Sequence, residues 1–434
     1  MVACSEEERK NIIAKLSPTK EELAELNTTY NRLVDVLSPL GKVELMGSLA
    51  KHTIVHGKKE LDVFVFFEKG RDLHSSLASI HEALKRAFPN YKIESAYAQH
   101  PYLRLKGECF KADIVPAYDV ELPMQATAVD RTRFHVSYIN KHLPEDKRGD
   151  VLLLKQFLSN IGSYGAEIRI GGFSGYLCEL LIIKFGSFEK ALKALADYRG
   201  EALYIEEEPS KEFDEPFVFI DPVDRGRNVG SPIREGTLKL TKRACSAYLK
   251  AREKKDSSAE SVCNKFFFFD GKKEVENKLL SLSFSPLDVV DDIRFGVLWR
   301  LATKLSYFLE GLGFDVLSSY VFNEESRDVV TLEVLQESIE ETYEHRGPPT
   351  SNESAVASFK KENENTYVRE GRIYAKRKRK CSQLIPCVKL FLSRYKPKLY
   401  EESPTIEIGK AFTYVERQAA LKEFINSILE GDAL

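Results

Sequence analysis

Hydrophobic and polar positions follow different periods in different parts of this chain. Over residues 1–140 an opening amphipathic helical pattern gives way to short apolar runs at 43–46, 61–67 and 93–97 and around Asp113, which are strand lengths. The run Val63-Phe64-Val65-Phe66-Phe67 is apolar at every position, which predicts a central strand covered on both faces. Residues 141–260 carry the helical period instead, with 151–160 and 175–185 strongly apolar. The polar stretch KKDSSAES at 254–261 marks a boundary. Beyond it, expected strands at 266–269 and 329–336 alternate with expected helices at 293–312 and 419–429. The pattern predicts an α+β multidomain protein divided at 1–140, 141–260 and 261–434.

Composition narrows this reading. At 434 residues the chain exceeds what one core organises, and 43% hydrophobic residues are ample for several cores. The net charge of −2 gives no general attraction to nucleic acid, so any such contact must come from local basic patches. The seven cysteines include no C-x-x-C, which supports neither a disulfide framework nor a zinc site. His52 and His56 share a helical spacing but have no further ligands near them in sequence. The charged opening MVACSEEERKNII and the lack of an apolar run of about 20 residues predict no membrane partner and a cytoplasmic protein.

The candidate chemistry lies in GSLAKHTIVHGKKELDVFVFF (47–67) and ADIVPAY (112–118). Glu60 and Asp62 are one residue apart on a strand and therefore project from the same side. A neighbouring strand carrying Asp113 would bring a third carboxylate to them. Such an oxygen set suits Mg²⁺, and two such ions can activate a hydroxyl and steady a leaving pyrophosphate. A lone E-x-D is commonly just solvated surface, but these carboxylates stand where a core strand surfaces, and charge beside a core is costly. Gly47 permits a tight turn, Ser48 can cap the following turn, and Lys51 adds positive charge suited to a phosphate.

The order of GS, ExD and a later D resembles the nucleotidyltransferase superfamily of DNA polymerase beta and the poly(A) polymerases. Four longer segments narrow the resemblance: AVDRTRFH (128–135), LLKQFLSNIGSYGAE (153–167), GFSGYLCELLI (172–182) and DPVDRGRNV (221–229). They are similar to the archaeal, class I CCA-adding enzymes, closely over the first half of the chain and more loosely over the second. The resemblance implies a polymerase-beta-like head, a helical central domain bearing the base pocket, and a C-terminal body and tail that binds tRNA. It implies template-independent addition of C, C and A to the 3′ end of tRNA from CTP and ATP, with Mg²⁺, by a monomer or homodimer. It puts Lys155, Tyr164 and His135 near the nucleotide and makes Arg227 the reader of the base edge. Asp224, on the same loop, is a further nucleotide-binding candidate, and a loop salt bridge that orients Arg227 is the plainer role compatible with it. Two departures from the family pattern stand out: Lys51 where arginine is expected, and Gly171 where a basic residue is common. A poly(A)-polymerase-like enzyme and a catalytically inactive RNA-binding homologue are the rivals.

Further expectations come from the residues themselves. Ser174 is a helix cap, Tyr176 a packing residue, and Glu179, inside an apolar turn, requires a basic partner. TYVREGRIYAKRKRK (366–380) reads as a hairpin turning at Glu370-Gly371. It gathers Arg369, Arg372, Lys376, Arg377, Lys378, Arg379 and Lys380 beside Tyr367 and Tyr374, a composition suited to RNA phosphates.

Overall fold

The computed structural model describes residues 6–97, 101–108, 110–121, 127, 129–253, 258–397 and 399–430. Helices α1 (Glu6–Leu16) and α2 (Lys20–Leu37) lead into β1 (Lys42–Met46), the short α3 (Gly47–Ala50) and β2 (Glu60–Phe67). Thr19 and Glu22 cap α2 reciprocally, so the helix starts where the sequence supplies T-x-x-E. Next come α4 (Leu73–Ala87), β3 (Lys92–Tyr97), β4 (Pro101–Lys106) and β5 (Lys111–Tyr118). The strands form one sheet in the order β1-β2-β5-β4-β3, with β2 and β5 parallel.

The apolar run of β2 is covered on both sides, as its pattern requires. Val63 and Val65 join Leu33 and Leu37 of α2 and Ile80 and Leu84 of α4 in one core, while Phe64 and Phe66 face Met46 and Ala117 in another. Glu60 and Asp62 share the Phe64 face by alternation. Packed against that second cluster are Val129 and Val136, the latter on α5 (Thr132–His142).

The largest core belongs to the helices that follow: α6 (Arg148–Asn160), α7 (Gly175–Phe185), α8 (Phe188–Asp197), α9 (Glu235–Glu253) and α10 (Ser258–Lys265). Ser174 caps α7 by accepting from the Leu177 amide, as expected, and Gly186 ends the helix at φ 82°. Between α8 and α9 a small hairpin forms from β6 (Ile220–Asp221) and β7 (Asp224–Asn228). The strand expected at 266–269 does not form. Phe266 and Phe267 lie in a turn after α10, bonded back to Cys263 and Asn264, and are buried among Phe157, Phe188 and Tyr248. Consecutive aromatics read as strand, but here ring packing with the helices outweighs that propensity.

By contact the chain divides into one unit of residues 1–271 plus 421–434 and another of 272–420. The polar stretch 254–261 begins outside the described residues, and its remainder lies within α10. In the second unit β8 (Lys278–Phe284), α11 (Asp291–Leu312), β9 (Val316–Glu324) and β10 (Arg327–Val334) come first. After them come β11 (Thr342–Pro349), α12 (Glu353–Glu362), β12 (Thr366–Arg369), β13 (Arg372–Lys378), α13 (Leu384–Arg394), β14 (Thr405–Ile408) and α14 (Thr413–Glu430). One antiparallel sheet runs β14-β8-β10-β9, and another runs β11-β13-β12. The 366–380 hairpin forms with Glu370 and Gly371 both at positive φ, as a tight primed turn requires. Leu421, Phe424, Ile425 and Ile428 of α14 are buried in the core of the first unit, although the helix begins in the second. Cys381 and Cys387 form a disulfide, against the expectation of none. Their six-residue separation carries no recognisable motif, and only the turn leading into α13 brings them together.

Candidate functional site

Strand register sets the three carboxylates. Asp62 stands directly opposite Asp113 on the parallel neighbour, and Glu60 opposite Lys111. Each then meets a different environment. Glu60 is well exposed and accepts from Lys111 at 3.2 Å. Asp113 is clasped by Arg104, whose Nε and Nη2 donate to its two oxygens at 2.7 and 2.8 Å. Asp62 is partly buried, and none of the hydrogen bonds or ion pairs among the described residues involves it. Burial, reinforced by the charges of Asp113 and Glu60, pushes its carboxyl up to about 6. A Cβ on Gly47, which has φ +66°, would fall 1.7 Å from Asp62 Oδ2, so only glycine lets this turn pass the carboxylate.

Three hard oxygen donors that repel one another, one of them without an ion-pair partner among the described residues, fit a divalent cation. Among the described residues no three ligating side chains are already gathered into a metal centre. Two of the carboxylates are turned onto Arg104 and Lys111, so the strands supply adjacency and a cation would supply convergence.

Beside α3 lies a buried ionic knot. Glu179, fully inaccessible, accepts from Lys51 at 2.5 Å, from Thr53 at 2.5 Å and from Lys155 at 3.1 Å. Lys155 also donates to the carbonyl and hydroxyl of Thr53, at 2.9 and 3.0 Å, which uses all three of its protons. Glu179 thus finds the basic partner its sequence context demanded, twice over. Burial raises its carboxyl, but the two ammonium groups outweigh that and hold it below the ordinary value. Burial, together with the like charge of Lys51, lowers Lys155. The knot carries one surplus positive charge. Tyr164 stands close by, its hydroxyl 3.0 Å from where a Cβ on Gly175 would be. Ser48 lies inside α3, whose cap position is Met46 with no side-chain bond, so the expected Ser48 cap does not form; its carbonyl accepts from the Thr53 amide at 2.9 Å. At Gly171, where a basic side chain was missed, Arg234 approaches within 2.8 Å of the ideal Cβ position.

A second knot centres on Asp221, which sequence reasoning passed over. Its inaccessible carboxylate accepts from Arg227 at 2.7 Å, from the Tyr176 hydroxyl at 3.0 Å and from the Val223 amide at 3.1 Å. It also meets His135 Nε2 at 3.0 Å, and His135 stacks on Tyr176 with ring centres 4.2 Å apart. Burial lowers His135, with Asp221 opposing. Burial raises Asp221, but His135 and Arg227 bring it below its ordinary value. The expected Asp224–Arg227 pair is therefore replaced. Asp224 turns to Arg131 and to the Gly226 amide, while Arg227 reaches across the hairpin to Asp221. Tyr176 is more than packing, since its hydroxyl helps to hold this cluster. The signal was present in FVFID, where a carboxylate closes an apolar run as Asp62 and Asp113 open theirs. A cavity of about 530 Å³ adjoins, lined by Arg131, Glu206, Asp221, Pro222, Asp224 and Gly226.

In the second unit, α12 covers one face of the β11-β13-β12 sheet through Phe359, which packs with Ile373 and Ala375. Alternation puts Arg372, Tyr374, Lys376 and Lys378 on the other face, beside Tyr367 and Arg369. There Tyr367 and Tyr374 lie nearly parallel at 5.8 Å, and the Arg369 guanidinium sits 4.7 Å from the Tyr374 ring. Arg377 and Arg379 point the other way. Arg377 donates to Asn363 at 2.5 Å, and Arg379 donates to the carbonyls of Glu340 and Leu312, the latter ending α11. These two hold the fold together, leaving Arg369, Lys376, Lys378 and Lys380 exposed and Arg372 half-buried, bonded to the Gly347 carbonyl.

Comparison with known proteins gives two family matches along the chain. Residues 149–257 match the family model for the second domain of tRNA nucleotidyltransferases, and residues 276–423 match that for the C-terminal domain of CCA-adding enzymes. The chain is 34% identical to a CCA-adding enzyme of Sulfurisphaera tokodaii, over 86% of this chain and 88% of that protein. It is 30% identical to one of Methanocaldococcus jannaschii, over 90% and 91%. A MgATP-bound mutant of the Cid1 poly(U) polymerase superposes at a TM-score of 0.50 with 12% identity, over 60% of this chain and 97% of that one, which is a likeness of fold alone.

Proposed function

The chain belongs to the family of CCA-adding enzymes, and from that premise we propose that Glu60, Asp62 and Asp113 are its catalytic, metal-holding carboxylates. It is a tRNA nucleotidyltransferase that adds C, C and A to the 3′ end of tRNA. In our reading CTP and ATP are the donors, Mg²⁺ is the ion, and the protein works in the cytoplasm as a monomer or homodimer. The observation that carries the site assignment is the register that puts Asp62 opposite Asp113, with Asp62 left without an ion-pair partner among the described residues.

The tRNA 3′-hydroxyl attacks the α-phosphorus in line and pyrophosphate leaves. A bound divalent cation supplies charge neutralisation at the phosphate oxygens and a more acidic hydroxyl. In this reading Asp113 accepts the hydroxyl proton at a carboxylate oxygen. Gly47 and Ser48 turn beside the carboxylates, and the surplus charge of the Lys51–Glu179–Lys155 knot favours a triphosphate near them. Tyr164 and His135 flank the nucleotide. Arg227 spends one nitrogen on Asp221 and keeps others for a base edge. Cytosine and adenine both offer a ring-nitrogen acceptor to which the guanidinium can donate, while the exocyclic amine beside it needs an acceptor other than the arginine. On the C-terminal hairpin, Arg369, Lys376, Lys378 and Lys380 meet RNA phosphates, with Arg372 beside them.

The test uses tRNA lacking its end and each labelled nucleotide in turn. CTP alone should add two residues, and ATP should add one only after them. Long tails from ATP alone would favour a poly(A) polymerase. Absence of pyrophosphate release with tRNA and CTP would favour an inactive homologue.

A further inference from the structure

One row of residues crosses the head sheet, each directly opposite the next: Met46, Asp62, Asp113, Arg104, Glu94. Arg104 thus stands between two carboxylates and commits to one. It donates to both oxygens of Asp113, at 2.7 and 2.8 Å, and its Nη2 also donates to the Tyr102 hydroxyl at 2.8 Å. Its guanidinium sits 5.5 Å from the Tyr102 ring, on the same face of β4. The other candidate, Glu94, is satisfied by Lys106 and Lys92, each at 2.7 Å, which hold its carboxyl down to about 2. The choice of Asp113 is therefore built into the register and into the lysines around Glu94.

A two-pronged guanidinium takes the same carboxylate oxygens that a metal ion takes, and it is the strongest arrangement open to an arginine. Glu60 has only a single, exposed lysine contact at 3.2 Å, and Asp62 has none. The three carboxylates thus differ in how readily each yields its oxygens to a cation.

We propose that Arg104 is a displaceable counter-ion: a positioning residue that holds Asp113 in place and sets how tightly that carboxylate accepts a divalent cation, which must unseat the arginine. This rests on the assignment of Glu60, Asp62 and Asp113 as metal ligands. Cation binding then begins at Asp62 and Glu60, and Asp113 joins last.

The test is a Mn²⁺ titration of the full chain without nucleotide, with free Mn²⁺ read by electron paramagnetic resonance. Arg104→Gln should bind Mn²⁺ about tenfold more tightly than wild type, the size expected for losing one charge-assisted hydrogen-bonded pair. Arg104→Lys keeps the charge without the fork and should fall between the two. Asp113→Asn and Asp62→Asn should each weaken binding. Equal affinity of Arg104→Gln and wild type, with Asp113→Asn still weakened, overturns the role of Arg104 and leaves the carboxylate assignment standing. Unchanged binding in both asparagine variants overturns the carboxylate assignment itself. If Arg104→Gln does not fold, Arg104→Lys decides, and wild-type affinity in it overturns the proposal.

Discussion

Replacing Glu179 with glutamine tests the buried knot most directly. The substitution keeps shape and removes one negative charge from between two ammonium groups that are themselves nearly inaccessible. Breaking a buried ion pair by removing one partner costs about 3–5 kcal/mol. Two cations are orphaned here, so the cost should lie near the upper end, about 4–5 kcal/mol, a large part of the roughly 5–15 kcal/mol available to a domain. Adding Lys155→Met removes one of the orphaned charges and should recover about 2 kcal/mol, the scale of coupling seen for neighbouring groups. Urea unfolding followed by circular dichroism reads both. The pH dependence has a definite sign. Lys155 is depressed in the folded state, so between that value and the ordinary lysine value of 10.5 the unfolded chain binds more protons, and stability rises with pH. Without Glu179 the depression deepens, so the deficit of Glu179→Gln should shrink as pH rises from the variant's folded-state value to that of wild type and stay level above it. A variant within about 1 kcal/mol of wild type at neutral pH, where a buried pair is worth several times that, would refute the reasoning. So would a deficit that grows as pH rises above 6.

Asp62→Asn should abolish nucleotide addition yet stabilise the metal-free protein. The folded-state value of about 6 lies above the ordinary 3.8, so the penalty is absent below 3.8 and complete above 6. Two pH units correspond to at most about 3 kcal/mol, and unfolding midpoints at pH 4 and pH 8 in chelator should show the gain only at pH 8. Gly47→Ala should also abolish addition, because the new methyl collides with the Asp62 carboxylate at a backbone angle unfavourable to alanine; normal turnover by a folded variant would count against the close approach. Arg227→Ala should weaken C and A addition together, by about 1–3 kcal/mol if it makes a two-pronged base contact; full efficiency with UTP still excluded would show another reader. Neutralising Arg369, Lys376 and Lys378 should weaken tRNA binding and flatten its salt dependence by roughly one logarithmic unit for each phosphate left without its cation. Arg379→Gln should instead lower stability with the salt slope unchanged.

Much of this protein was legible in the order of its residues. A uniformly apolar run such as 63–67 has few homes other than the middle of a covered sheet, and a carboxylate at the end of such a run signals function. The positive φ at Gly47, the cap at Ser174 and the turn at Glu370-Gly371 act within a few residues, so local chemistry alone fixed them, whereas Ser48 was expected to cap α3 and does not. Pairings over long separations were not accessible in this way. Lys51 and Glu179 are 128 positions apart, and Arg227 had two aspartates within reach in sequence, of which the hairpin gave it Asp221 and not Asp224. The basic run at 376–380 looked uniform until strand alternation sent Arg377 and Arg379 to the covered face, where backbone carbonyls and Asn363 claim them. The four aromatics at 266–269 had a strand's composition, but rings supplied by helices far away in sequence made them a packed turn. Local sequence sets period, turns and caps because those interactions span a few residues. Which charge meets which is settled by sheet register and helix packing, and those exist only once the whole chain has closed on itself.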